Sequence, residues 1–195
     1  MIDQISNNRK DVKFKQALLP ALGELLYFIS CQECILAKSQ DSWPVPSLAY
    51  VLMIRTIGDD LVSNHIICKI IENIASTNSH CVQKFINNQS EVVNAIWSCY
   101  SHSANNEQLR VAALKALCML SSHSVNIVLT LIDKIGVDPL LECLSSNNGL
   151  QQQAMLTMIS ILVKDGPSKS IPEKVIYFPS SLFMMKQYIL LNFFL

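Results

Sequence analysis

Seven cysteines and four histidines are the residues here with the most chemistry to offer. Cys31-Gln32-Glu33-Cys34 is the one Cys-x-x-Cys, a spacing that serves half of a tetrahedral zinc site or a redox dithiol. Zinc needs a second converging pair. His65 with Cys68, and His80-Cys81, carry donor atoms, but no spacing brings them to Cys31. Redox use needs a strand–helix–strand setting, and the chain shows almost no alternating apolar pattern. No metal site and no cofactor are therefore expected. The histidines at 65, 80, 102 and 123 stand far apart, without a nucleophile motif around them. There is no G-x-S-x-G and no P-loop, and the five glycines are widely separated. Asp59-Asp60 resembles an acid pair, yet it precedes an apolar helical run, where a carboxylate caps orphan N–H groups. Asn88-Gln89-Ser90 matches a glycosylation acceptor by chance in a chain without an export signal. The expectation is a protein that is not an enzyme.

The polar residues carry more information as a stripe than as chemistry. Leu61–Ser76 reads as an amphipathic helix, and His65, Lys69, Glu72 and Ser76 fall on one of its faces. The helix recurs. Ile67, Ile70, Ile71 and Ile74 are followed 46 positions later by Ala113, Ala116, Leu117 and Leu120. A further step of 42 takes Ala112, Leu114, Leu117 and Leu120 to Ala154, Leu156, Ile159 and Leu162. Helical repeats of about 40–47 residues mark armadillo or HEAT arrays, whose units bury their apolar faces only by stacking. The fold expected is all-α, an armadillo/HEAT-like right-handed superhelical repeat array of three to four units. Carrying the stripe through the same steps gives Val111, Lys115, Cys118 and Ser122, then Gln153, Thr157, Ser160 and Lys164. Stripes in register form a ridge. His65, Lys69, Glu72, Asn73, Lys115, Gln153 and Thr157 are the candidate partner-binding residues. The alternative is a merely solvated face, as most polar helix faces are.

The elements that position the ridge can be read in order. Residues 1–11 form a polar N-terminal tail, 12–166 the helical repeats and 167–195 an atypical apolar C-terminal tail. Helices are predicted at Val12–Ala37, Leu48–Ile57, Leu61–Ser76, His80–Ile86, Val92–Tyr100, Gln108–Ser121, Ser124–Lys134, Val137–Leu144 and Gln151–Val163. Pro20 either kinks the first helix or starts its second piece. Gly58 ends one helix, and Asp59 or Asp60 caps the next. Ile176–Leu195 is twenty residues long, but Pro179, Lys186 and Asn192 interrupt it, so no membrane span is expected. Its crowded apolar side chains predict self-association instead.

Composition narrows the function. Half of the chain is hydrophobic, only 15% is charged, and the formal net charge is zero. Neutralising phosphates needs clustered Lys and Arg, and the 15 basic residues are scattered, which argues against nucleic acid. An odd number of cysteines, mostly on apolar helical faces, fits reduced thiols in the cytoplasm.

Two runs carry a resemblance: Gln16-Ala17-Leu18-Leu19-Pro20-Ala21-Leu22-Gly23-Glu24-Leu25-Leu26-Tyr27, and Asn64-His65 through Lys69-Ile70-Ile71-Glu72-Asn73. Trp43 before Val45-Pro46, Ile96-Trp97, Leu109-Arg110 and Met155-Leu156-Thr157 accompany them. Together they resemble the armadillo/HEAT region of the Unc-51-like kinase family, over about Val12 to Val163. The resemblance implies a pseudokinase relative of Fused, linked to cilia and microtubule organisation. It implies a non-catalytic scaffold for ciliary or microtubule-associated signalling proteins, in the cytoplasm and extending to cilium or cytoskeleton. No Val-Ala-Ile-Lys, His-Arg-Asp or Asp-Phe-Gly is present, so nucleotide binding does not carry over. The alternative is a piece of a serine/threonine kinase-family protein whose kinase-like domain lies outside this chain.

Overall fold

The computed structural model describes residues 12–36, 47–58, 60–77 and 80–166. All regular structure among them is helical: α1 (Val12–Leu36), α2 (Ser47–Thr56), α3 (Leu61–Ser76), a 3₁₀ turn (His80–Val82), α4 (Gln83–Asn87), α5 (Gln89–Ser101), α6 (Glu107–His123), α7 (Asn126–Ile135), α8 (Asp138–Leu144) and α9 (Gly149–Asp165). The all-α expectation holds. The ends of the predicted helices move by one to three residues, as turns add or trim them. The tails at 1–11 and 167–195 and the second half of the Cys-x-x-Cys lie outside what can be described of side chains.

The caps explain where the long helices begin. Asp60 sits in extended backbone before α3, and its carboxylate accepts from the Ser63 N–H at 2.9 Å. Asn106 does the same for α6, accepting from Leu109 N–H at 3.0 Å. Asn148 accepts from both Leu150 and Gln151 N–H ahead of α9. Residues 60, 106 and 148 are spaced by the same 46 and 42 as the apolar pattern, so the cap is part of the repeat. Gly58, with φ at 103°, makes the left-handed turn that ends α2's run, and its N–H donates to the buried Asn64 side chain at 2.8 Å. Gly136, at φ 76°, closes α7 in the same way. Pro20 breaks nothing: α1 runs through it, with the ring on the exposed side.

Four helices stand side by side in chain order, α1 on α3, α3 on α6 and α6 on α9. Their directions are parallel. Gln16 of α1 bonds the α3 cap Asp60 at 3.0 Å, and Gly23 farther along meets Ile70 farther along α3. At the other end of α3, the Ala75 carbonyl lies 2.6 Å from His123 Nε2 at the end of α6. Glu107 at the start of α6 accepts from the Asn148 cap of α9 at 2.6 Å. A second layer returns the chain between these parallel helices: α2 joins α1 to α3, the 3₁₀ turn with α4 and α5 joins α3 to α6, and α7 and α8 join α6 to α9. α5 packs on both α6 and α7.

The core lies between the layers and along the row. Ile67, Ile70, Ile71 and Ile74 of α3 are buried, as are Ala113, Ala116, Leu117 and Leu120 of α6. Bulky isoleucines against alanines let the two axes approach with little void. In α9 the pattern is only half kept. Ala154 and Leu162 are buried, but Leu156 and Ile159 are half-buried, and Met155 and Met158 take the central places. Among the described residues nothing follows α9 in the row, so one of its flanks has no neighbouring row helix.

Candidate functional site

A central helix of such a row is covered on three sides, and what stays open is narrow. In α6 the residues that are not buried along its middle are Val111, Lys115, Cys118, Met119 and Ser122. Four of the five are the stripe carried over from α3 by sequence. In α3 the matching open positions are His65, Lys69, Glu72, Asn73 and Ser76, and in α9 they are Gln153, Thr157, Ser160 and Lys164. His65, Lys69, Glu72, Lys115 and Thr157 are half-buried, whereas Asn73 and Gln153 are exposed.

Contacts between helices bring parts of the stripe together. Lys69 Nζ donates to Glu72 Oε2 at 2.6 Å, one turn along α3. The Cys118 thiol of α6 meets the Thr157 hydroxyl of α9 and feels the Glu72 carboxylate of α3. Burial pushes this thiol up from its ordinary value, Thr157 opposes the rise, and Glu72 adds to it. Cys118 is thus a neutral thiol at neutral pH, without the activation that nucleophilic chemistry needs. Thr157 Oγ1 donates back to the Gln153 carbonyl at 2.9 Å. Glu72, Cys118 and Thr157 therefore form one line across three helices, and Lys69, Lys115 and Gln153 flank it by helical spacing. His65 and Asn73 sit at its α3 edge.

A second polar cluster was not singled out from the sequence. The Tyr100 ring of α5 stacks on Trp97, with centroids 4.7 Å apart, and carries the Arg110 guanidinium over it at 4.4 Å. Its hydroxyl takes hydrogen bonds from Arg110 and from the Cys143 thiol at 2.9 Å, and reaches the buried Gln151 at 3.4 Å. Burial, then the Cys143 contact, pushes the Tyr100 hydroxyl up to about 12 against the pull of Arg110. The cluster ties α5, α6, α8 and α9 together from inside. Its only signal in the sequence was aromatic residues one turn apart with an arginine ten positions on.

Other sequence-level sites resolve simply. Asp60 is a cap, as its place before α3 implied. Burial raises its carboxyl, but hydrogen bonds from Ser63 and Gln16 outweigh that, and the net shift is downward. Cys31, Cys68, Cys81, Cys99, Cys118 and Cys143 are free thiols. Among the described residues no group of three or more His, Cys, Asp or Glu is placed to hold a metal ion. No helix among them is long and apolar enough to cross a membrane.

The mouse serine/threonine-protein kinase ULK4 is 34% identical to this chain over 168 residues, 85% of the chain. The chain is related to a segment of ULK4. The resemblance read from Gln16–Tyr27 and Asn64–Asn73 holds. The serine/threonine-protein kinase RUNKEL of Arabidopsis thaliana is 21% identical over 177 residues, 83% of the chain. The chain matches only 13% of the length of each. No protein-family model matches it, and no solved structure does.

Proposed function

We propose that this chain is a non-catalytic protein-binding scaffold, a segment of a right-handed superhelical armadillo/HEAT-like array. Its working surface is the stripe of His65, Lys69, Glu72, Asn73, Lys115, Gln153 and Thr157. One observation carries the reading: the open face of the central helix α6 coincides with the stripe, and Glu72, Cys118 and Thr157 continue it onto both neighbours. Flat rows of parallel helices offer long, shallow surfaces of this kind, and solenoids commonly use them for protein partners. The resemblance to Unc-51-like kinases supports partners among ciliary or microtubule-associated signalling proteins, and a place in the cytoplasm, cilium or cytoskeleton. Photo-crosslinking tests the surface. A photoreactive residue at Asn73 or Gln153 is expected to capture partner protein, and one at the exposed Lys134 of α7, off the stripe, is not. Equal capture from all three positions would remove the stripe as the binding surface.

A second reading is favoured by the relatives' printed names and by the 13% of their length that the chain matches. On that reading the chain is a regulatory part of a serine/threonine kinase-family polypeptide whose kinase-like domain lies elsewhere. The coding sequence upstream of Met1 separates the two readings. An in-frame kinase-like domain there favours the second.

A further inference from the structure

This inference rests on the stripe being a binding surface and asks what chemistry it accepts. Its charges are uneven. Lys69, Lys115 and Lys164 face one acid, Glu72, on a chain whose formal net charge is zero. Glu72 is committed to Lys69, at 2.6 Å, and its side chain is only 17% exposed against 43% for Lys69. Lys69 therefore keeps open surface on its far side. Lys115, the next residue in register, is half-buried on α6. A ligand crossing the row meets cations on successive helices.

The spacing narrows the ligand further. Packed helices lie about 8–10 Å apart, so Lys69 and Lys115, at equivalent positions, repeat on about that scale. A peptide in the polyproline II conformation has three residues per turn and rises about 3.1 Å per residue. Its side chains at i and i+3 point the same way about 9 Å apart, which matches the step. Residues i and i+2 of a β-strand, about 6.7 Å apart, fall short. The amide and hydroxyl groups of Asn73, Gln153 and Thr157 beside this path are suited to peptide N–H and C=O groups.

We propose that the stripe binds an extended acidic peptide whose anionic side chains recur every third residue, the first two meeting Lys69 and Lys115. The anion is a carboxylate or a phosphoserine, since both present anionic oxygens to a lysine, the phosphate carrying about −1.5 to −2 at pH 7.

Fluorescence anisotropy on the full chain tests this with labelled twelve-residue peptides. One set carries Glu at every third position, one at every second, one carries phosphoserine at every third, and one carries Lys at every third. The third-position anionic peptides are expected to bind best and to weaken with salt. Lys115→Glu should weaken them by roughly tenfold, since reversal loses an exposed ion pair and adds a repulsion. Lys115→Gln should have a smaller effect in the same direction, and Lys134→Glu on α7 none. Circular dichroism checks that each variant keeps its helices. If the lysine peptide binds best, or Lys115→Glu changes nothing while Gln153→Trp abolishes binding, the surface stands and the acidic preference falls. If no peptide binds, or the anionic peptides bind equally well to Lys115→Glu and Gln153→Trp, both readings fall. An oligothymidine that outcompetes every peptide would assign the stripe to nucleic acid and overturn the proposal.

Discussion

Gly23→Ala should destabilise the chain although a helix normally prefers alanine. Gly23 lies inside α1, and an added Cβ would sit 2.6 Å from Ile70 Cγ1 and 3.1 Å from its Cδ1. Ile70 is 4% exposed, and its Cγ1 is fixed by a β-branched side chain that has one favoured rotamer in a helix. The methyl cannot be met by swinging a flexible tip away, so α1 must lift off α3 or Ile70 must leave its rotamer. Overpacking of this kind costs about 1–3 kcal/mol. Relief of glycine's poor helix propensity returns about 0.8–1.0 kcal/mol. The net expectation is a loss of about 1 kcal/mol. In urea, with a slope near 2 kcal/mol/M, the midpoint of helix loss should fall by about 0.5 M. The decisive comparison uses Ile70→Ala, which removes both atoms that clash. That change alone costs about 2–5 kcal/mol. In its background Gly23→Ala should become stabilising, so the two changes should couple by about 2 kcal/mol. Stabilisation by Gly23→Ala in the unaltered chain would refute the argument. It would mean that α1 does not seat on α3 at Gly23, and that the row starts at α3.

The remaining predictions concern the caps and the tail. Asn148→Ala removes the acceptor for two N–H groups and the tie to Glu107, and should cost about 1 kcal/mol in urea unfolding; Asn148→Asp should recover only part of it, because its carboxylate caps the N–H groups but repels Glu107. Asp60 has its carboxyl held below the ordinary 3.8, so the charged form favours the folded state. Its contribution is full above pH 3.8 and is lost as pH falls through the lower folded value. Asp60→Asn keeps a cap but should flatten that part of the acid unfolding curve, and an unchanged curve would show the carboxylate to be idle. Removal of residues 177–195, with Leu182–Leu195 its most apolar run, should reduce self-association in light scattering. A clean monomer that needs those residues would reverse that reading.

How much was legible follows from what a sequence pattern can carry. Periodicity reads burial, and it placed α3 to the residue, Leu61–Ser76, because the Ile67–Ile74 face and the Asp60 cap agree there. It also placed the open stripe, since a helix buried on three sides leaves a polar line at the same period. Asn106 and Asn148 were missed as caps because they stand in polar loops, where asparagine attracts no notice until the repeat step from Asp60 is applied. The Tyr100 cluster was missed for a different reason. Its members come from α5, α6, α8 and α9, and only the second layer's return path brings Cys143 and Gln151 to a tyrosine some 43 and 51 residues away. Leu156 and Ile159, read as core, are half-buried and pack against it, on a helix with one row neighbour among the described residues.

That last point bears on what the array can do. α1 leaves Leu25 50% and Phe28 61% exposed, and α9 leaves Leu150 48% and Val163 56% exposed. The middle helix α6 has no comparable apolar exposure, with α3 and α9 on its two flanks, whereas α3 leaves Leu61 49% and Val62 52% exposed at its start. Stacked repeats gain stability from nearest-neighbour interfaces, and among the described residues α6 has two row neighbours whereas α1 and α9 have one each. The stripe runs from α3 through α6 to α9, and its firmest part is therefore the part with Lys115 and Cys118. A ligand that bridges all three helices would meet its most fully supported surface in the middle, at Lys115.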